Sequence, residues 1–169
     1  MANAQSKHGG AKVGFPPPLV FLGLILSGAA LQRWLGPLPL PVASPLRLAV
    51  GAAVALSGVA LVLSARLWFL RTGQHPAPWR PSPELLVHGV YRRTRNPMYL
   101  GITTFQLGLG IATVNLWISA LAPLALLIVH FLAVLPEESY LTEKFGEAYR
   151  RYITTTRRHL WALGRGVAR

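Results

Sequence analysis

The sequence predicts an all-α integral membrane protein, a bundle of about four transmembrane helices with a cytoplasmic amphipathic helix at its C-terminal end. Three observations predict it. Of the 169 residues, 52% are apolar and only 13% are charged, against about 25% charged in an average soluble domain. The apolar residues fall into runs long enough to cross a hydrocarbon core of about 30 Å. Basic residues crowd at the borders of those runs, most sharply in segment 89–101. There Arg92, Arg93 and Arg95 precede an Asn96-Pro97 step, and residues 98–116 carry no charged side chain. Such a border marks where the chain enters a bilayer, the arginines staying at the headgroups.

The elements follow in order. Residues 1–15 are polar, Gly-rich and carry Lys7 and Lys12, which reads as a disordered cytoplasmic tail ahead of a single membrane domain, 16–169. A first span covers 19–35, and the Pro-rich stretch 36–45 forms a loop because it cannot sustain a helix. A second span covers 46–70 and reaches about 37 Å as a helix. Its excess length places Arg66 near the cytoplasmic end, where it can snorkel or face a cavity. Gly51, Ala55 and Gly58 share one face of this span at the small-residue spacing that lets helices approach closely. Prolines 76, 78, 81 and 83 break any helix in the polar loop 71–95. A third span covers 97–114, with Gly101 and Gly108 as its small face. Asn115 marks a short turn, and a fourth span, interrupted by Pro123, covers 116–135. Pro136 then starts a last helix, 136–154, amphipathic rather than apolar.

Orientation follows from the basic residues. The tail, the 71–95 loop and residues 136–169 together hold fourteen Lys and Arg, and the opposite side has only Arg33 and Arg47. That bias puts both termini and the long loop in the cytoplasm. The net charge of +12 suits anionic lipid headgroups. It does not point to nucleic acid, since no basic surface remains once the spans are removed. Cys and Asp are absent, which excludes disulfides, thiolate metal sites and a Cys nucleophile. Carboxylate chemistry falls to Glu84, Glu137, Glu138, Glu143 and Glu147.

Several residues carry more than one reading. Asn is a favoured helix N-cap and Pro suits the first helical position, so Asn96-Pro97 has a structural explanation. Tyr91 and Tyr99 are plausible interfacial aromatics. In the last helix Glu138, Leu141, Phe145, Tyr149 and Tyr152 recur at three- and four-residue steps and line one face, with Glu137 close beside it. Two acids in a first turn suit the helix dipole, but acids aimed at the protein body near a membrane border are costly unless they meet a partner. His130 lies inside the fourth span, which makes it a functional candidate. The other histidines show no metal-ligand spacing, and there is no Walker loop, nucleophile elbow or Rossmann fingerprint.

Segment 85–101, LLVHGVYRRTRNPMYLG, resembles the signature of the isoprenylcysteine carboxyl methyltransferase-like family. So does Pro136-Glu137-Glu138 followed by FGEAYRRY at 145–152. Phospholipid N-methyltransferases are more distant relatives in the same group. The resemblance covers 84–158 and implies a multi-span membrane enzyme that binds S-adenosyl-L-methionine at its cytoplasmic side. By position, Leu86, Tyr91, Asn96, Pro97, Met98 and Tyr99 fall where that family lines the cofactor pocket, and Glu137 and Glu138 match its acidic pair. Most eukaryotic members have His where this chain has Asn96, and Asn cannot serve as an acid or base near neutral pH.

The expectation is therefore methyl transfer from S-adenosylmethionine to a lipophilic acceptor at the cytoplasmic membrane face. The acceptor is a prenylcysteine-like carboxylate, a phospholipid amine or another small lipophile. Arg66, Arg92, His130 and Arg157 are the candidates for holding its anionic head. An NADPH-dependent membrane reductase and a non-enzymatic tetraspan adaptor are the alternatives. Known reductases of this kind are much longer, and an adaptor would show no saturable affinity for the cofactor. The compact length suits a bacterial inner membrane. The oligomeric state is not legible in the sequence.

Overall fold

The structure is a computed structural model that describes residues 10–39 and 43–159. Within these residues six α-helices follow one another: α1 Pro18–Leu35, α2 Ser44–Arg71, α3 Pro97–Ala112, α4 Leu116–Val129, α5 Leu135–Phe145 and α6 Glu147–Thr155. A 3-10 turn, Gly89–Arg92, precedes α3, and a π turn, His130–Val134, joins α4 to α5. Among the described residues there is no strand, only an isolated bridge between Thr94 and Arg157. The all-helical membrane bundle is what the chain forms.

Among the described residues three stretches are long and apolar enough to cross a membrane: Pro18–Leu35, Ser44–Arg71 and Leu116–Phe145. The expected third span is shorter than a bilayer core. α3 has 16 residues, about 24 Å. It stops at Ala112 because Val114 turns left-handed, φ 57°, and the Asn115 side chain starts α4 by accepting from Ile118 N at 3.3 Å. α3 lies between α2 and α4, and much of it is buried, including Leu100, Thr103 and Gln106.

The two small faces expected on α2 and α3 meet each other. A Cβ at Gly58 would strike the Phe105 backbone, and one at Gly108 would strike the Ala55 backbone. On the other side α1 rests on α4, where Gly28 touches Ile118. Trp117 Nε1 donates to the Gly36 carbonyl at 3.0 Å and ties the end of α1 to the start of α4.

Three expectations are corrected by the local geometry. Pro136 stands in the first turn of α5, as expected, but α5 is not set apart from the fourth span, because α4, the π turn and α5 run on as one stretch, Leu116–Phe145. A proline inside a helix lacks its N–H and crowds the carbonyl four residues back, and the wider π turn beside it relieves that crowding. The single amphipathic helix expected over 136–154 is two helices. They part at Gly146, φ 51°, a conformation that favours glycine at a helix end. The break lets α6 turn its tyrosines inward, and Tyr149 and Tyr152 are both buried. Finally, the expected tail is only partly open to description. Residues 1–9 lie outside the described residues, but within 10–15 Ala11 and Val13 are buried in the same core as Phe21, Tyr99 and Val129. Ala11 N donates to the Pro78 carbonyl at 2.7 Å, so this segment packs across the polar loop.

Candidate functional site

The site assembles where the polar loop, the start of α3, and α5 with α6 converge. Gly89, φ 58°, faces the Trp68 indole so closely that any Cβ would collide with it. That contact seats the 3-10 turn and carries Tyr91 inward, where its ring meets Phe69 edge-on at 6.0 Å. Tyr152 donates its hydroxyl to the Tyr91 carbonyl at 2.6 Å, joining α6 to the turn. Burial pushes the Tyr91 phenol above its usual range, with Tyr152 and Glu137 adding to the shift.

Residues 94–96 are stitched to the C-terminal segment. Arg95 N donates to the Arg157 carbonyl at 2.9 Å. Thr94 Oγ1 and Asn96 Nδ2 both donate to the Arg158 carbonyl, at 3.0 and 3.2 Å. Asn96 therefore stands at the head of α3 without capping it through its side chain.

The two acids of the Pro136-Glu137-Glu138 motif have different partners. Tyr99 donates its hydroxyl to Glu137 Oε1. Glu138 is gripped by Arg158, Nε to Oε1 at 2.9 Å and Nη2 to Oε2 at 2.6 Å, and Arg95 Nη1 lies 3.2 Å from Oε1. Burial, then the Glu138 charge, push the Tyr149 phenol up to about 12, against the pull of Arg95. His159, beside Arg158, is pushed down to about 4 by burial and by the neighbouring His130 and Arg158.

Part of this cluster lines a cavity of about 370 Å³, within the range of small-molecule sites. Leu86, Tyr91, Asn96, Pro97, Met98, Tyr99, Glu137 and Glu138 all line it. The loop is held over it by Tyr140, whose hydroxyl accepts from Ser82 N at 3.2 Å. Of the lining residues not singled out from the sequence, two matter for their chemistry. Gln74 is buried, with Nε2 on Thr72 Oγ1 at 3.1 Å and Oε1 without a donor among the described residues. Arg95 was assigned to the headgroups with Arg92 and Arg93, and only those two are exposed. Its one sequence signal is its place directly before Asn96-Pro97.

The four residues expected to hold an acceptor's head are elsewhere. Arg66 and Arg92 are exposed, and Arg157 is exposed on the C-terminal segment. His130 is half-buried in the π turn against the rings of Phe131 and His159, at 5.2 and 5.7 Å. None of the four lines the cavity.

No curated protein and no solved structure matches the chain significantly. A family model described as phospholipid methyltransferase matches residues 46–148, from the start of α2 into α6, and so takes in segment 85–101, Pro136-Glu137-Glu138 and the first residues of the 145–152 stretch. This is the group of membrane methyltransferases that the two motifs resemble, and the chain belongs to the phospholipid methyltransferase family.

Proposed function

We propose that the protein transfers a methyl group from S-adenosylmethionine to a lipophilic acceptor at the cytoplasmic face of a bacterial inner membrane. The observation that carries this reading is the single cavity walled by both motif segments where apolar helices give way to the polar loop. The lining suits the cofactor's chemistry, which combines a sulfonium, an ammonium, a carboxylate and an aminopurine. Glu137 and Arg95 offer one charge of each sign, and Tyr91 and Tyr99 offer aromatic faces. Gln74 Oε1 is a buried acceptor without a donor among the described residues, a costly state that a ligand amino group relieves.

Bound there, S-adenosylmethionine supplies an electrophilic methyl group on a sulfonium. The protein's contribution is positioning, which can lower a barrier by up to about 7–11 kcal/mol. Tyr99 holds Glu137 by one carboxylate oxygen and leaves the other for a cation. Pro16, Pro17, Phe69 and Ile102 form an apolar wall. It lies near Leu19 and Leu22 of α1 and Leu67 and Leu70 of α2, which are exposed on the helix surfaces. A lipid tail can reach the cavity along such a wall without crossing water. The family description supports a phospholipid amine as the first acceptor to test and a prenylcysteine carboxylate as the second.

The orientation proposed, with both termini cytoplasmic, is supported by the basic bias and by the chain ends. Ala11 and Arg157 both hydrogen-bond to the segment between α2 and α3. The decisive experiment is binding of radiolabelled S-adenosylmethionine to the folded protein in detergent, followed by transfer of label to added phospholipid. Saturable binding displaced by S-adenosylhomocysteine is expected. A folded preparation without it would leave the tetraspan adaptor standing, and saturable NADPH binding in its place would favour the reductase.

A further inference from the structure

One buried polar group of the cavity wall, Gln74, lies outside both motifs. It is 4% exposed and lines the cavity just past α2, where its backbone N donates to the Phe69 carbonyl at 2.8 Å. A neighbour fixes the orientation of its amide. Thr72 Oγ1 donates toward the Trp68 and Phe69 carbonyls, at 3.0 and 3.2 Å. A hydroxyl has one hydrogen to give, so toward Gln74 it can only accept, and the amide nitrogen faces it at 3.1 Å. Oε1 is the end left over, buried and without a donor among the described residues. Such an oxygen costs free energy until a donor arrives. Its place says which ligand brings one. Phe69, whose carbonyl holds Gln74, forms the apolar wall with Pro16, Pro17 and Ile102, and the same end of α2 exposes Leu67 and Leu70. A head whose tail lies along that wall comes to rest against Gln74.

We propose that Gln74 Oε1 selects and orients the methyl acceptor by taking a hydrogen bond from an N–H of a lipid amine. This rests on the cavity being the methyl-transfer site, and it names the nucleophile that site takes. A carboxylate nucleophile brings no hydrogen and sets its lone pairs against those of Oε1. In the step itself the neutral amine's lone pair forms the N–C bond to the methyl as the C–S bond breaks. The bonding pair stays on sulfur, giving the neutral thioether, and the new ammonium releases its proton to water. Gln74 exchanges no proton; by holding one N–H it turns the lone pair toward the methyl. Each transfer uses up one N–H. After two transfers the neutral nitrogen has none left for Gln74, so the reaction ends mainly at the dimethylated lipid.

The test measures binding of short-chain phosphatidylethanolamine and phosphatidylcholine to the folded protein in detergent, with S-adenosylhomocysteine present. The two share phosphate and tails, and only the first carries N–H. The parent should prefer phosphatidylethanolamine by at least about tenfold, as expected for a buried hydrogen bond to a charged group. Gln74→Met is close in shape and removes the orphaned oxygen. Its preference should collapse to within about threefold, with S-adenosylmethionine affinity and melting temperature near the parent's. A preference set by the bulk of the three methyls would survive in this variant and would overturn the assignment. Gln74→Glu keeps an acceptor and should keep the preference. With labelled S-adenosylmethionine the parent should yield mono- and dimethylated lipid, and a mainly trimethylated product would also overturn the assignment. So would a parent that binds both heads equally, whether or not any variant folds. A parent that discriminates between the heads but binds no S-adenosylmethionine would remove the methyl-transfer reading and leave the Gln74 contact standing.

Discussion

Arg158 joins the two motifs with its two ends. Its guanidinium holds both oxygens of Glu138, at 2.9 and 2.6 Å, and its carbonyl accepts from Asn96 Nδ2 at 3.2 Å. The acidic motif and the Asn-Pro motif are far apart in sequence, and this residue from a third segment closes them on each other. The same carbonyl also accepts from Thr94, so the backbone half of the latch has two donors.

Arg158→Met should therefore loosen the C-terminal segment while leaving the helices folded. Breaking a fully buried ion pair costs about 3–5 kcal/mol, but Arg158 is 37% exposed and Arg95 still compensates Glu138, so about 1–2 kcal/mol is expected here. Limited proteolysis should cut near residues 156–159 faster than in the parent, with circular dichroism unchanged. Asn96→Ser should do the same more weakly, because Thr94 continues to hold the carbonyl. A protease pattern identical to the parent in both variants would mean that the segment is held by something else.

The glycine contacts allow a contrast within one family of substitutions. A side chain at Gly58 meets the Phe105 backbone, which cannot swing aside, whereas Gly23 on α1 has open space around the Cβ position. Gly58→Leu should push α2 from α3 and lower the melting temperature sharply, since overpacking costs typically about 1–3 kcal/mol or more. Gly23→Ala should be neutral or slightly stabilising, by up to about 1 kcal/mol from helix propensity. Thermal melts in one detergent decide it, and equal melting temperatures would contradict the close packing of α2 on α3.

Periodicity and spacing made much of this architecture legible. The small faces of α2 and α3 were readable because Gly51, Gly58, Gly101 and Gly108 sit at whole-turn spacings, and the structure seats them against each other. The positions aligned by the motif resemblance likewise reach one cavity. What was not legible depends on long-range partners. Arg92, Arg93 and Arg95 look alike as a string, and only the docking of Arg158 and Glu138 separates the buried one from the exposed two. Gln74 gives no periodic signal, because it lies in the loop just past α2, outside any helix. Pro136 was legible as a helix start, since proline commonly opens helices and it stands in the first turn of α5, but the π turn that keeps the stretch continuous was not.

His159 makes the latch sensitive to acid. Its imidazole is pushed down to about 4 by burial, by His130 in the π turn, by Arg158 beside it and by Arg95, with only Glu138 pulling the other way. The unfolded chain has an ordinary histidine, near 6.5, so between these values the unfolded state binds more protons and stability rises with pH. The contribution is fully present above about 6.5 and is lost as pH falls toward 4. His159→Gln should flatten the change in melting temperature between pH 7.5 and pH 5. A parent protein equally stable at both values would show that His159 does not titrate in this way.

Topology is tested directly because the chain has no cysteine. Cys placed at the exposed positions Pro37 and Arg80 should react with impermeant maleimide from opposite sides of inverted and right-side-out vesicles. Reaction of both from the same side would remove the arrangement that puts α2 across the membrane between them.

The acidic pair gives the sharpest test of the site, because its two members are chemically identical and differently held. Helical periodicity points first to Glu138, which shares an inward face with Leu141. In the structure both Glu138 oxygens are engaged by Arg158, with Arg95 close to one of them. Glu137 has a single phenol partner, Tyr99. The carboxylate left able to meet a ligand cation is therefore Glu137. Glu137→Gln should weaken S-adenosylmethionine binding by at least about tenfold, or 1.4 kcal/mol, with little change in melting temperature, since the amide still accepts from Tyr99. Glu138→Gln should act in the other order. It strands the buried Arg95 guanidinium without its counter-charge, so the melting temperature should fall first and affinity should follow through the misplaced Arg95. Affinity and melting temperature measured on the two variants in parallel separate these roles. The same profile from both would mean that the pair acts as one charge and that the division between cofactor acid and brace is wrong.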